Sequence, residues 1–180
     1  MITFEDIHIK DLNFTSYILR KELMNRIQEI AIDINQDYVG RNPLFISVLN
    51  GAFMFTSDLM KQIDIDSEIK FINVSSYEGT KSTGVKNDFD FGDWVTDRHI
   101  IFIEDIVDTG NTMKYLLDKI DKWDPSSVEI ATLFVKRMCL SHEMNLRYVG
   151  FEIENKFIVG YGLDYDGQGR NYQDVYQLAQ

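Results

Sequence analysis

The chemistry in this chain is concentrated in residues 100–113. Ile100-Ile101-Phe102-Ile103 is followed by Glu104 and Asp105, and then by Asp108-Thr109-Gly110-Asn111-Thr112. The four apolar residues predict a buried strand, with the two acids at its end. Met113, Leu116, Leu117, Ile120 and Trp123 fall on one face of a helix that starts directly after the turn. A glycine-containing turn that opens a helix aims free backbone N–H groups at an anion. Two carboxylates beside such a nest suit a diol or a metal ion. A ligand that carries both a phosphate and a vicinal diol is a ribose 5-phosphate.

Other readings of the same residues exist. Thr109 or Asn111 can simply cap the helix. Acids near a strand end are often only solvated. Val-Asp-Thr-Gly also occurs in aspartic proteases, as one half of a carboxylate dyad. That role needs an all-β setting and a second Asp, and here the turn runs straight into an amphipathic helix.

The remaining elements are those that must position these groups. Leu19, Leu23, Ile27, Ile30 and Ile34 space a helix ending near Gly40. Leu44–Leu49 reads as a strand, Asn50-Gly51 as a turn, and Ala52, Phe55, Leu59 and Ile63 as the next helix. Strands follow at 69–74, 100–104 and 128–135, with a helix at 111–123. The pattern predicts an α/β fold, a parallel twisted sheet with flanking helices. In such folds ligands bind beyond the carboxyl ends of the strands. Asn50-Gly51, Ser75-Ser76-Tyr77, Glu104-Asp105 and Lys136-Arg137 all fall at strand ends and converge on one edge. Residues 149–153 and 157–161 predict two short strands with a turn at Asn155. Residues 75–93, rich in Ser, Thr, Gly, Asp and Lys, predict a long loop of the kind that serves as a lid.

At 180 residues the chain is most simply one domain. Its net charge of −11 argues against nucleic acid or an anionic membrane as the main partner. No apolar run reaches membrane-spanning length, and the N-terminus shows no signal pattern. The single Cys139 excludes an internal disulfide and fits a reducing cytoplasm. His8, His99 and His142 are isolated, so no histidine metal site is visible.

Taken together, five ordered segments between Leu44 and Arg170 resemble the hypoxanthine-guanine phosphoribosyltransferase family. They are the strand with Glu104-Asp105-Ile106-Val107-Asp108-Thr109-Gly110, then Val135-Lys136-Arg137, Val149-Gly150-Phe151-Glu152-Ile153 and Gly160-Tyr161-Gly162-Leu163-Asp164-Tyr165, with Leu49-Asn50-Gly51 upstream. The resemblance implies transfer of the phosphoribosyl group of phosphoribosyl diphosphate (PRPP) to N9 of hypoxanthine or guanine, giving IMP or GMP and pyrophosphate with Mg²⁺. It implies a core at about 38–148, a hood from about 1–37 and 149–180, and a homodimer or homotetramer.

The resemblance also implies roles residue by residue. Asp108, Thr109, Gly110, Asn111 and Thr112 form the 5-phosphate loop, and Asp108 is the general base toward purine N7. Glu104 and Asp105 take the ribose hydroxyls, directly or through Mg²⁺. Asp164 ligates a second Mg²⁺ and Arg170 meets pyrophosphate. Lys136 donates to purine O6; without the resemblance it would read as a strand-end ion pair. Phe157 stacks on the purine, where core packing would be the plainer reading, and the Ile158 backbone reads the base edge. Ser76 and Tyr77 belong to the mobile loop. In the pyrophosphate loop, many relatives have Leu-Lys-Gly with a cis peptide before the second residue. Asn50 keeps the backbone contact but supplies no positive charge.

Two rivals remain at this level. A PRPP-sensing regulator would keep the phosphate loop but needs a basic surface or an added DNA-binding segment. An orotate or adenine enzyme of the same broad superfamily lacks the Val-Lys-Arg and Leu-Asp-Tyr segments.

Overall fold

The structure is a computed structural model and describes residues 6–74 and 91–179. Among the described residues, the strands form two sheets. The larger is parallel, with strand order β4-β3-β5-β6-β7: β3 is Leu44–Leu49, β4 Glu68–Asn73, β5 His99–Val107, β6 Ser127–Val135 and β7 Tyr148–Glu152. The smaller is antiparallel, in the order β1-β2-β9-β8: β1 is Ile7–Ile9, β2 Leu12–Ile18, β8 Ile158–Val159 and β9 Val175–Leu178.

Side-chain alternation along the central strands divides the core between the two faces of the large sheet. Phe45, Ile101, Ile103 and Ala131 pack with Leu23, Ile27, Ile30 and Ile34 of helix α1 (Arg20–Asp37) and with Phe55 and Leu59 of α2 (Phe53–Met60). Leu44, Ile46, Ile100, Phe102 and Ile130 pack on the other face with Met113, Leu116 and Ile120 of α3 (Asn111–Ile120). The expected α/β fold, a parallel sheet with helices on both faces, is what the chain adopts. A third, small cluster of Ile9, Phe14, Val159 and Tyr176 is the core of the antiparallel sheet.

Several expectations are corrected. Glu104 and Asp105 lie inside β5, which runs on to Val107; β6 supplies its ladder partners as far as Val135. The helix predicted over 111–123 closes at Ile120, with a 3-10 turn at Asp121–Trp123. The two short strands expected around Asn155 are both present, the second only two residues long, and they join different sheets. β7 extends the parallel sheet beside β6, and β8 crosses to the antiparallel sheet beside β9. Phe91, at the end of the predicted loop, is fully buried against Phe102 with ring centroids 5.9 Å apart. Ser76 and Tyr77, and the lid expectation for most of 75–93, lie outside the described residues.

Strand order sets where a ligand can bind. The chain leaves β3 toward β4 on one side, then returns to β5 on the other side of β3 and continues outward. The carboxyl ends of β3 and β5 therefore flank the point where the winding reverses, which is where a crevice opens in sheets of this kind.

Candidate active site

The loop after β3 and the middle of β5 meet at that crevice. The Leu49–Asn50 peptide is cis, and Asn50 is exposed. Gly51 then passes so close to β5 that a Cβ there would stand 1.7 Å from Oδ2 of Asp105. From the other side, a Cβ on Gly162 would stand 2.1 Å from the Gly51 carbonyl oxygen. Gly51 is thus held between an acid of the large sheet and the Gly160-Tyr161-Gly162 turn: a side chain on Gly51 would displace the Asp105 carboxylate, and one on Gly162 would strike the Gly51 backbone.

That turn joins the two sheets. A Cβ on Gly160 would meet the Asp174 carbonyl at 2.2 Å, so the backbone presses against the segment entering β9. Tyr161, fully buried at φ +48°, donates its hydroxyl to Asp58 of α2 at 2.7 Å. Burial, and then the Asp58 carboxylate, push the Tyr161 hydroxyl pKa upward. The sequence alone assigns no separate role to Tyr161 or Gly162. Their signal was present as two glycines flanking an aromatic, but only the contact with Gly51 gives it meaning.

Glu104 and Asp105 are both buried, each 8% exposed. Oδ1 of Asp105 accepts the Ile106 N–H at 2.9 Å, while Oε2 of Glu104 is buried without a hydrogen-bond partner. Burial, and then the adjacent Asp105 charge, hold the Glu104 carboxyl well above the usual carboxylate range. Burial also raises Asp105, and Arg170 works in the opposite direction. A buried, orphaned carboxylate oxygen costs stability unless a ligand completes it. Two buried acids side by side, one with an unpartnered oxygen, suit a diol or a hard cation, so the residues fit Mg²⁺.

Beyond β5 the chain makes the nest expected from the sequence. Gly110 sits at φ +81° as the residue that opens α3, whose first turn carries no acid that would compete with an anion. The Thr109 and Asn111 side chains are exposed there, and Thr112 is half-buried. Asp108 is drawn away from the nest: its Oδ2 accepts from Nζ of Lys136 at 2.7 Å. Lys136 is buried, 6% exposed, and its backbone N–H bonds the Val107 carbonyl at 3.0 Å. Lys136 does form a strand-end ion pair, and its partner is the candidate base.

On the opposite wall, Asp164 pairs with Arg170 at 2.6 Å and accepts the Gly167 N–H at 2.6 Å. Arg170 also donates to the Gly162 carbonyl at 2.6 Å, which fastens it to the turn that touches Gly51. Among the described residues no three carboxylate, histidine or cysteine side chains converge on one point. Glu104-Asp105 and Asp164 are therefore two separate acidic places. Phe157 does not enter the core. Its ring is 42% exposed and stands 6.0 Å from Phe14 and 5.8 Å from Tyr165. Ile158 is buried and pairs with Gln177 across β8 and β9.

A glycine that opens a helix beyond a parallel strand, a buried acid pair beside it and a switch-point crevice fit the phosphoribosyltransferase class. The "Phosphoribosyl transferase domain" family model matches residues 16–166. The chain belongs to that family, and within it to the hypoxanthine-guanine phosphoribosyltransferases. It is 43% identical over 153 residues to the "Hypoxanthine-guanine phosphoribosyltransferase" of Streptococcus mutans, covering 84% of this chain and 85% of the relative. The crystal structure of a hypoxanthine phosphoribosyltransferase from Staphylococcus aureus matches with a TM-score of 0.84 and 34% identity over 91% of this chain and 90% of that one. A hypoxanthine-guanine phosphoribosyltransferase from Bacillus anthracis matches with a TM-score of 0.82 and 33% identity, covering 96% and 98%. Among the described residues no helix is long and apolar enough to cross a membrane.

Proposed function

We propose that this enzyme transfers the 5-phosphoribosyl group of PRPP to N9 of hypoxanthine or guanine, releasing pyrophosphate. The observation that carries this reading is the Lys136–Asp108 pair at 2.7 Å beside the anion nest. It sets a donor beside an acceptor, the two kinds of group that O6 and N7–H on one edge of a 6-oxopurine call for. Lys136 offers only donors, so O6 is its partner, while Asp108 accepts the N7 proton as N9 attacks. Phe157 offers an exposed aromatic face for the purine, and the Ile158 backbone faces the base edge.

The nest of Thr109, Gly110, Asn111 and Thr112 holds the 5-phosphate. Glu104 and Asp105 take the ribose hydroxyls, directly or through Mg²⁺, and Asp164 is the second Mg²⁺ ligand. When bound, the cation neutralises charge on the departing pyrophosphate. The transition state is oxocarbenium-like at the ribose, so the protein's contribution is positioning and electrostatic stabilisation. Asn50 contributes backbone only. Arg170 meets the pyrophosphate; its hydrogen bond to the Gly162 carbonyl, beside Gly51, supports this reading. A homodimer or homotetramer in a reducing cytoplasm is the expected setting, and light scattering reports the assembly.

The test is incubation of the protein with PRPP, Mg²⁺ and each of four purines, with the nucleotides identified. Hypoxanthine and guanine are expected first, then xanthine, then adenine. Adenine places an amino donor against the Lys136 ammonium, a mismatch worth on the order of 10⁴-fold in kcat/KM. Equal rates with adenine and hypoxanthine would overturn the Lys136 assignment. Salt-dependent nucleic-acid binding without nucleotide synthesis would favour the regulator reading.

A further inference from the structure

The segment that follows Lys136 lies along the phosphate loop almost residue by residue. A 3-10 turn at Arg137–Cys139 brings the chain back, and the Ser141 N–H then donates to the Thr109 carbonyl at 3.0 Å. Leu140 Cδ2 and Met144 Cε each lie 3.4 Å from where a Cβ on Gly110 would stand, so both side chains close over the glycine. His142 meets Asn111: Nε2 lies 3.2 Å from Oδ1. Three consecutive nest residues are each braced by this one segment, and His142 is the member that does so with a polar side chain.

Asn111 is the first residue of α3, and its amide can present either its oxygen or its two donors to whatever occupies the nest. An imidazole that carries its proton on Nε2 donates to Oδ1 and selects between these. It fixes the oxygen toward His142 and leaves the amide donors for an anion. We infer that His142 is a positioning residue for the 5-phosphate subsite, acting by orienting the Asn111 amide. The inference rests on the phosphoribosyltransferase reading of the nest. His142 touches neither the reacting atoms nor the acid pair. Its removal therefore changes affinity for the phosphate end and spares the chemical step.

The experiment uses the full-length protein, with ribose 5-phosphate binding measured by calorimetry and PRPP kinetics measured alongside. His142→Ala is expected to raise Kd for ribose 5-phosphate and KM for PRPP by about three- to tenfold, the size of one hydrogen bond, with kcat unchanged. His142→Gln, which keeps a donor, is expected to restore most of the loss. In an Asn111→Ala background, His142→Ala is expected to add nothing further. An unchanged Kd, a full effect that persists without Asn111, or a fall in kcat at unchanged KM would each overturn the assignment. Wild-type protein that makes no nucleotide and binds no ribose 5-phosphate would overturn the function itself, a result distinct from any of these. His142 is exposed, so an unaltered thermal midpoint confirms that the variants are folded.

Discussion

Two carboxylates at opposite ends of the parallel sheet, Asp37 and Glu104, are treated in opposite ways. At the amino end, Asp37 closes α1 and accepts the Tyr148 hydroxyl at 2.7 Å and the Arg147 guanidinium at 2.9 Å from the start of β7. The Tyr148 hydrogen bond, and then Arg147, outweigh burial and hold the Asp37 carboxyl below the usual range. Around it, His99 bonds Ser127 at 2.8 Å, and Arg147 reaches Glu129 at 3.6 Å. At the carboxyl end, Glu104 is buried with an oxygen that has no partner, and its proton affinity rises. A satisfied carboxylate fastens elements together. An orphaned one marks a place where the free protein has given up stability and a ligand is expected to restore it.

Removing the ligand chemistry is expected to have the largest effect. Chelation should abolish nucleotide formation, and added Mg²⁺ should restore it; full turnover in excess chelator would show that the acid pair works alone. Next comes Asp108→Asn, which keeps size and hydrogen bonding but removes the proton acceptor. A loss of about 10²–10⁴ in kcat is expected, with PRPP affinity much less altered. Single-turnover rates check that the loss lies in the chemical step.

The comparison itself is tested by matched amide substitutions at the two ends. Glu104→Gln should lower kcat/KM by about tenfold or more, through loss of a charge-assisted contact. Its denaturation midpoint at neutral pH should equal or exceed that of the wild type. The sign follows from linkage. A carboxyl whose native pKa is raised destabilises the fold above its ordinary value of 4.5, increasingly until the native pKa is passed, and Gln removes that cost. Asp37→Asn should do the reverse, leaving turnover intact and lowering stability by about 1 kcal/mol, a discounted figure because the carboxyl is partly exposed. The Asp37 contribution is fully present above its ordinary value of 3.8 and is lost as pH falls through its lower native pKa. The Asn variant should therefore lose less of its stability on the acid side. If Glu104→Gln unfolds more readily than Asp37→Asn, the orphan is structural and the contrast between the ends fails.

Much of this was legible in the residues alone. Periodicity placed α1, β3, β5, α3 and β6, because each buries a continuous apolar face that leaves a period in the sequence. The Asp108–Thr112 nest was legible for a local reason: a glycine with positive φ and a helix start are both written within five residues. The N-terminal hairpin of β1 and β2, and β9, leave no such continuous period. Leu12, Phe14 and Ile18 do alternate, but such short strands are stabilised by their neighbours rather than by their own pattern.

Sequence by itself determined the inventory of chemical groups, the parallel sheet and the family, because burial periods and short motifs are local properties of the chain. Only the tertiary structure decided how those groups are used. It closed Gly51 between Asp105 and Gly162, joined Lys136 to Asp108 across 28 positions, and sent β7 and β8 to different sheets. These outcomes depend on which distant segments compete for the same space and the same hydrogen-bond partners. A carboxylate is satisfied or orphaned only with respect to neighbours that the fold brings to it.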